Sequence, residues 1–260
     1  MKRVDLIKVE HVLGVGDICR SMQPNITEDC LLYDDGVIIG FFIKDMLKYS
    51  TKISQLANIA DNELRSKNVP KTQMNRTSGE QGTTEKIPQF STIIGAVPPR
   101  PHMKRPYASF CSVHSVPSAK VFIKAMYLLC SEAEELIKKI APDIYNAQCQ
   151  LIEENCPKKW RFGKLFTSSI SNYNIAAAYH KDNANIKGCV NVIITKRLNA
   201  VGGYLSVPDY NAVFDSCDNS MLVYPAWRNL HGVTPIVPTF EAGYRNSLIF
   251  YPLKAFKGIE

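Results

Sequence analysis

The sequence predicts an α+β fold with a β core: a jelly roll flanked by helices and preceded by an N-terminal elaboration. Three observations predict it. About eight short β-branched and aromatic runs follow Trp160, an apolar stripe at helical period occupies residues 118–140, and the chain is 260 residues long. Many short strands at regular spacing mean a sandwich or barrel, and a chain of this length holds one such domain with its additions.

The first stretch, to about Leu64, mixes short strands and helices. Within it, Asp34-Asp35-Gly36 offers a turn between residues 30–33 and the apolar run 37–43, which reads as a hairpin packed on a core. Residues 65–88 are rich in Lys, Asn, Thr, Ser, Gly and Gln and predict a long polar loop. The proline-dense run 98–106 predicts a rigid, extended, basic segment, since proline suits neither helix interior nor central strand. Residues 118–140 carry Val121, Ile123, Met126, Leu129, Ala133, Leu136, Ile137 and Ile140 near helical period, with Pro142 as a stop and a second helix at 144–154. The strands are expected at 165–170, 176–180, 189–195, 204–207, 212–214, 221–224, 230–234 and 247–251. The chain thus divides, within a single domain 1–260, into an N-terminal elaboration (1–110), supporting helices (111–158) and a cupin-like double-stranded β-helix core (159–260).

Composition excludes several classes. With 45% hydrophobic, 10% aromatic and 21% charged residues the chain is globular, not disordered. The longest apolar run, 37–43, is broken by Gly40 and is too short to span a bilayer. Met1-Lys2-Arg3 is followed by Asp5, Lys8 and Glu10 rather than by an apolar secretory core. A soluble intracellular protein with no membrane partner is the expectation. Eight cysteines show no C-x-x-C pair, so reduced thiols and no structural zinc are expected. A net charge of +7, spread along the chain, permits a polyanionic partner such as DNA without requiring one.

The chemistry resides in four residues. His180 and Asp182 lie two apart at the end of an expected strand, where alternation points both side chains to one face. A rolled antiparallel sheet can bring His231 to the same face. Two imidazoles and a carboxylate on one side of an ion make the facial triad of non-haem Fe(II) oxygenases, which leaves positions open for co-substrate and O₂. Arg245 lies downstream in an otherwise apolar strand, where a buried guanidinium requires an anion. A co-substrate with two carboxylates, such as 2-oxoglutarate, needs one for iron and one for such a fork, and Ser247 faces the same way to donate a further hydrogen bond. The alternative for Arg245 is a salt bridge with a core Asp or Glu.

These motifs resemble the ten-eleven-translocation and base-J-binding-protein group of nucleic-acid-modifying 2-oxoglutarate dioxygenases. The resemblance covers residues 166–256. It is carried by Ala178-Tyr-His-Lys-Asp-Asn-Ala-Asn185 with Gly188 and Val190, by Gly202-Gly203-Tyr-Leu, by His231-Gly-Val-Thr-Pro, and by Arg245-Asn-Ser-Leu-Ile-Phe-Tyr251. It implies Fe(II) on His180, Asp182 and His231, 2-oxoglutarate on Arg245 and Ser247, and hydroxylation of the 5-methyl group of a pyrimidine in DNA, 5-methylcytosine first. It also implies that Asn185 hydrogen-bonds a flipped base and that Tyr251 stacks on it. A turn-stabilising role for Asn185 and core packing for Tyr251 are the alternatives. The sequence departs from the group at Leu253, where some methylcytosine oxidases carry a base-reading histidine, and in lacking their zinc-binding cysteine-rich regions. Arg100, Lys104 and Arg105 are candidates for steadying phosphates or the co-substrate's proximal carboxylate. Thymine in DNA, a protein or free nucleoside on the same scaffold, or an inactive cupin-like binding module are the competing readings.

Overall fold

The computed structural model describes residues 1–74, 87–100, 102 and 104–259. Most of the predicted polar loop, 75–86, lies outside the described residues. The chain is a jelly roll of two facing sheets with helices on the outer face of the larger one.

The hairpin forms where Asp-Gly predicts it. Strands β2 (Cys30–Asp34) and β3 (Val37–Ile43) are joined by Asp35 and Gly36, both at positive φ (50° and 75°). A two-residue turn of that kind matches the twist of the strands it joins. β1 (Lys2–Asp5) adds a parallel edge to β2. Helix α1 (Thr51–Arg65) follows, its Ser50 side chain capping the N-terminus by accepting from the Ile53 N–H. The two-residue strand β4 (Thr72–Gln73) pairs with β5 (Phe90–Val97), which also pairs with β6 (Ser109–Phe110). Helices α2 (Lys120–Ile140) and α3 (Pro142–Asn155) match the predicted pair, and Pro142 both stops the first and opens the second.

The strands that follow are β7 (Ser168–Tyr173), β8 (Ala177–His180), β9 (Asn191–Leu198), β10 (Ala200–Gly202), β11 (Leu205–Val207), β12 (Ala212–Phe214), β13 (Ser220–Tyr224), β14 (His231–Val233), β15 (Ile236–Pro238) and β16 (Tyr244–Tyr251). Each of the eight expected runs forms a strand, with ends shifted by at most three residues and 212–214 unshifted. The exceptions are β10 and β15, a small pair of their own that the sequence reading left out. The large sheet runs β1-β2-β3-β13-β9-β16-β7-β5-β4, and the small one β12-β11-β14-β8. The N-terminal strands therefore extend the same sheet that carries β9 and β16.

Strand alternation divides the large sheet into two faces. Val192, Ile194, Leu248 and Phe250 point to the helices, where they join Ile53, Phe122, Met126 and Leu129 in the main core. On the other face Leu222 and Tyr224 meet Leu205, Val207 and Phe214 of the small sheet. Further along that inner face, around Arg245, Ser247 and Ile249, the space is left as a cavity of about 490 Å³.

One expectation is corrected. The described residues of the run 98–106 are not extended throughout: Arg100 and Arg105 pair through both backbone hydrogen bonds, 2.6 and 3.2 Å, and Lys104 takes a positive φ of 57°. Proline fixes φ but leaves ψ free, so a proline-rich stretch can close a turn as readily as it extends. Among the described residues no helix is long and apolar enough to cross a membrane.

Candidate active site

His231 is the first residue of β14, and antiparallel pairing sets it directly opposite His180, the last residue of β8. Side chains of directly opposed residues share a face, so the two rings sit 4.3 Å apart between centroids. Asp182 lies beyond the end of β8, so strand alternation does not place it. Its backbone N–H donates to the carbonyl of Ala226 at 3.1 Å, which folds the loop back and brings Oδ1 to 3.8 Å from Nε2 of His180. One ligand atom from each of the three residues falls within 4.8 Å of the others. No other His, Cys, Asp or Glu cluster among the described residues has this spacing.

Each ligand is oriented by a neighbour. Nδ1 of His180 lies 2.8 Å from the Ala178 carbonyl and Nδ1 of His231 lies 3.2 Å from that of Asn229. Both carbonyls accept the Nδ1 proton, which leaves Nε2 of each ring as the lone-pair donor. Burial, with His180 adding, pushes the His231 imidazole down to about 4, so it is neutral and ready to bind at ordinary pH. Oδ2 of Asp182 accepts from the Asn191 amide at 2.9 Å and, at 3.4 Å, from that of Asn185.

Arg245 sits on the cavity face of β16 and is only 2% exposed. Its backbone N–H donates to Asn174 Oδ1, but its Nε has no hydrogen-bond partner. Among the described residues no carboxylate forms an ion pair with it, so the core salt bridge weighed from sequence does not form. Its cross-strand neighbour is a second arginine, Arg197, whose guanidinium is committed to the carbonyls of Ser216 and Gly202. Burial, reinforced by Arg197, pulls Arg245 down to about 9. A buried, unpaired cation facing a cavity is stable only with an anion in it. The donor set fits a divalent metal on two imidazoles and a carboxylate, and a carboxylate-bearing co-substrate on the guanidinium.

Glycines make room for that arginine. Gly203 has φ +66°, and a Cβ there would stand 3.2–3.3 Å from the Arg245 stem and 2.9 Å from Ile236. Gly202, at φ +74°, has no room for a Cβ against the Pro235 carbonyl.

The other predicted site residues divide between two places. Ser247, Asn185, Tyr251 and Leu253 line the same cavity as the triad and Arg245. Asn185 is buried, its amide donating to Asn191 Oδ1 at 2.8 Å. Tyr251 is half-buried on the cavity wall rather than packed in the core. Arg100 and Arg105 line a second cavity of about 280 Å³, together with Lys71 and Cys111, and Lys104 is exposed at the turn between them. Asn191, Arg197 and Asn174 escaped the sequence reading. Only Asn191 left a signal there, as a polar side chain at the inward-facing start of an apolar strand.

Comparison with known proteins supplies the family. The profile of the Tet_JBP family, described as the oxygenase domain of the 2OGFeDO superfamily, matches residues 100–254. NgTET1, solved in complex with 5mC DNA, superposes with a TM-score of 0.61 at 14% identity, covering 94% of this chain and 84% of that one. A 2OG-Fe(II) oxygenase family oxidoreductase from Burkholderia pseudomallei (TM-score 0.46, 12% identity, 85% and 88% covered) and OsALKBH1 (0.41, 12%, 82% and 96%) are more distant. No curated protein matches the sequence. The family profile spans more than half of the chain, and the triad and Arg245 lie inside it: the chain belongs to the Tet_JBP family of 2-oxoglutarate- and Fe(II)-dependent dioxygenases.

Proposed function

We propose that this dioxygenase hydroxylates the 5-methyl group of a pyrimidine base in DNA, with 5-methylcytosine as first choice. The observation that carries the proposal is that one cavity holds the triad, Arg245, an aromatic ring and a buried amide. His180, Asp182 and His231 would hold Fe(II), and Arg245 with Ser247 the distal carboxylate of 2-oxoglutarate. When bound, the metal, O₂ and 2-oxoglutarate supply an oxidant for an unactivated C–H bond, one oxygen atom leaving in succinate alongside CO₂ and the other in the product alcohol.

The chain's own side chains fix what is presented to that oxidant. Tyr251 offers a face on which a base stacks, and Asn185 an amide at its edge. A methyl group inside duplex DNA lies in the stack, so the base must be flipped at a cost of a few kcal/mol. Arg100 and Arg105 line a second cavity and Lys104 is exposed between them, and we assign the three to backbone phosphates, with the co-substrate's proximal carboxylate as the alternative for Arg105. The likeness in fold to NgTET1, whose structure was solved with 5mC DNA, supports the same substrate class.

Thymine in DNA is the second reading. It is favoured by Leu253, which lines the cavity with an apolar side chain where some methylcytosine oxidases present histidine. Mass spectrometry of nucleosides after incubation with methylated and unmethylated duplexes tests both. Conversion of 5-methylcytosine to its hydroxymethyl form supports the first, and conversion of thymine the second. Consumption of 2-oxoglutarate with a peptide or free nucleoside, DNA remaining untouched, would overturn both.

A further inference from the structure

Three side chains behind the metal site form one directed chain of hydrogen bonds. Asn191 Nδ2 donates to Asp182 Oδ2 at 2.9 Å, and Asn185 Nδ2 donates to Asn191 Oδ1 at 2.8 Å, with a longer contact of 3.4 Å to Asp182 Oδ2. The carboxylate sets the direction. An ionised carboxylate only accepts, so Asn191 must turn its NH₂ toward Asp182 and its carbonyl oxygen away. That oxygen can only accept in turn, so Asn185 must spend its NH₂ on Asn191. The oxygen of the last amide, Asn185 Oδ1, is what remains, and Asn185 lines the cavity.

We propose that Asn191 is a positioning residue with two duties. It holds Asp182 by Oδ2 so that Oδ1 faces His180 Nε2, and it fixes Asn185 as a hydrogen-bond acceptor toward the substrate. Asn191 is 2% exposed and Asn185 4%, and on the cavity wall each buried amide finds its partner within the chain of three. The register supports the placement: Asn191 opens β9 opposite Tyr224, and Asn185 is bridged to Leu253 on the segment after β16. The second duty rests on the reading of the cavity as a base pocket; the first does not. An acceptor at that point suits an N–H on the base edge, which cytosine offers at its 4-amino group and thymine at N3. The metal ligand Asp182 and the base reader Asn185 are thereby tied to one side chain, Asn191, which hydrogen-bonds to both.

The test uses Mn(II) alone, titrated calorimetrically into the full chain without co-substrate or DNA. Asn191→Leu removes the donor at similar volume, and Asn191→Ser is a second variant should the first not fold. Folding is checked by the circular dichroism spectrum and by the melt without metal. Loss of such an outer hydrogen bond is expected to weaken metal binding by about 10–100-fold. Asn185→Leu, which removes only the long contact to Asp182, is expected to bind Mn(II) within about threefold of wild type while losing affinity for a methylated oligonucleotide. Wild-type Mn(II) affinity in a folded Asn191 variant would overturn the first duty. Equal loss of Mn(II) affinity in Asn185→Leu would overturn the order of the chain. If the substrate is not DNA, the oligonucleotide arm fails while the Mn(II) arm still reads the first duty.

Discussion

At the residue scale, the site is a set of charges and lone pairs whose directions are fixed before anything binds. Removing a ligand therefore removes function without removing structure. His231→Ala and His180→Ala are expected to abolish 2-oxoglutarate turnover while leaving the circular dichroism spectrum unchanged, and surviving turnover would refute the ligand assignment. Arg245 should behave differently, because its buried guanidinium has no ion-pair partner among the described residues and is proposed to hold the co-substrate. Charge-assisted hydrogen bonds are each worth about 1.5–3 kcal/mol, so Arg245→Ala should raise the 2-oxoglutarate KM by roughly ten- to hundredfold. An unchanged KM would mean that the charge serves the fold instead. For Tyr251, alanine should lose about 1–3 kcal/mol of oligonucleotide binding and phenylalanine little, since stacking uses the ring face; equal binding by all three would remove the ring from the base pocket. The triad and Arg245 were legible in the sequence because each breaks an expectation: charged or imidazole groups stand where an apolar strand should continue. Asn191 was not, because a polar residue at a strand start also reads as ordinary punctuation between elements.

At the element scale, β16 does two jobs through its alternation. Arg245, Ser247, Ile249 and Tyr251 face the cavity, while Tyr244 and Asn246 face α1 and donate to the buried carboxylate of Asp61 at 2.7 and 3.0 Å. Arg65 closes that cluster at 3.1 Å. Asp61→Ala leaves buried donors without an acceptor and should destabilise the fold by about 2–3 kcal/mol in denaturant melts. A loss under about 0.5 kcal/mol would show that α1 is not anchored to β16 through this carboxylate. The segment bearing Gly203 supports the same strand from the cavity side. The eight core strands and the Asp-Gly hairpin were legible because they alternate and end at turn residues. β10 and β15 were not, being three residues each with Gly202 and Pro238 at their ends. Helix α1 carried a readable signal, the Ser50 cap before an amphipathic run, yet it lay in a stretch whose short apolar runs suit strand or helix equally. The pairing of Arg100 with Arg105 was unreadable because proline constrains one dihedral of two.

At the scale of the whole molecule, the jelly roll separates support from chemistry: helices cover the outer face of the large sheet, and the cavity opens between its inner face and the small sheet. Arg100 and Arg105, with the exposed Lys104 between them, line a second cavity. If these side chains meet phosphates, neutralising Lys104 or Arg105 should weaken DNA binding and reduce the slope of log K against log salt by about 1 per charge removed. A co-substrate defect with an unchanged salt slope would instead return Arg105 to the active site. The overall architecture was legible from strand count and length, whereas the joining of N-terminal strands to the core sheet was not, since pairing between distant strands leaves no local pattern. On the proposed reading, this chain inserts one oxygen atom from O₂ into a methyl group on a DNA pyrimidine. Turnover under ¹⁸O₂ with a methylated duplex, followed by mass spectrometry of both succinate and the released nucleosides, tests it most directly. One heavy oxygen in succinate and one in the hydroxymethyl nucleoside is the expected result; labelled succinate with no label in any base would overturn the DNA-methyl reading.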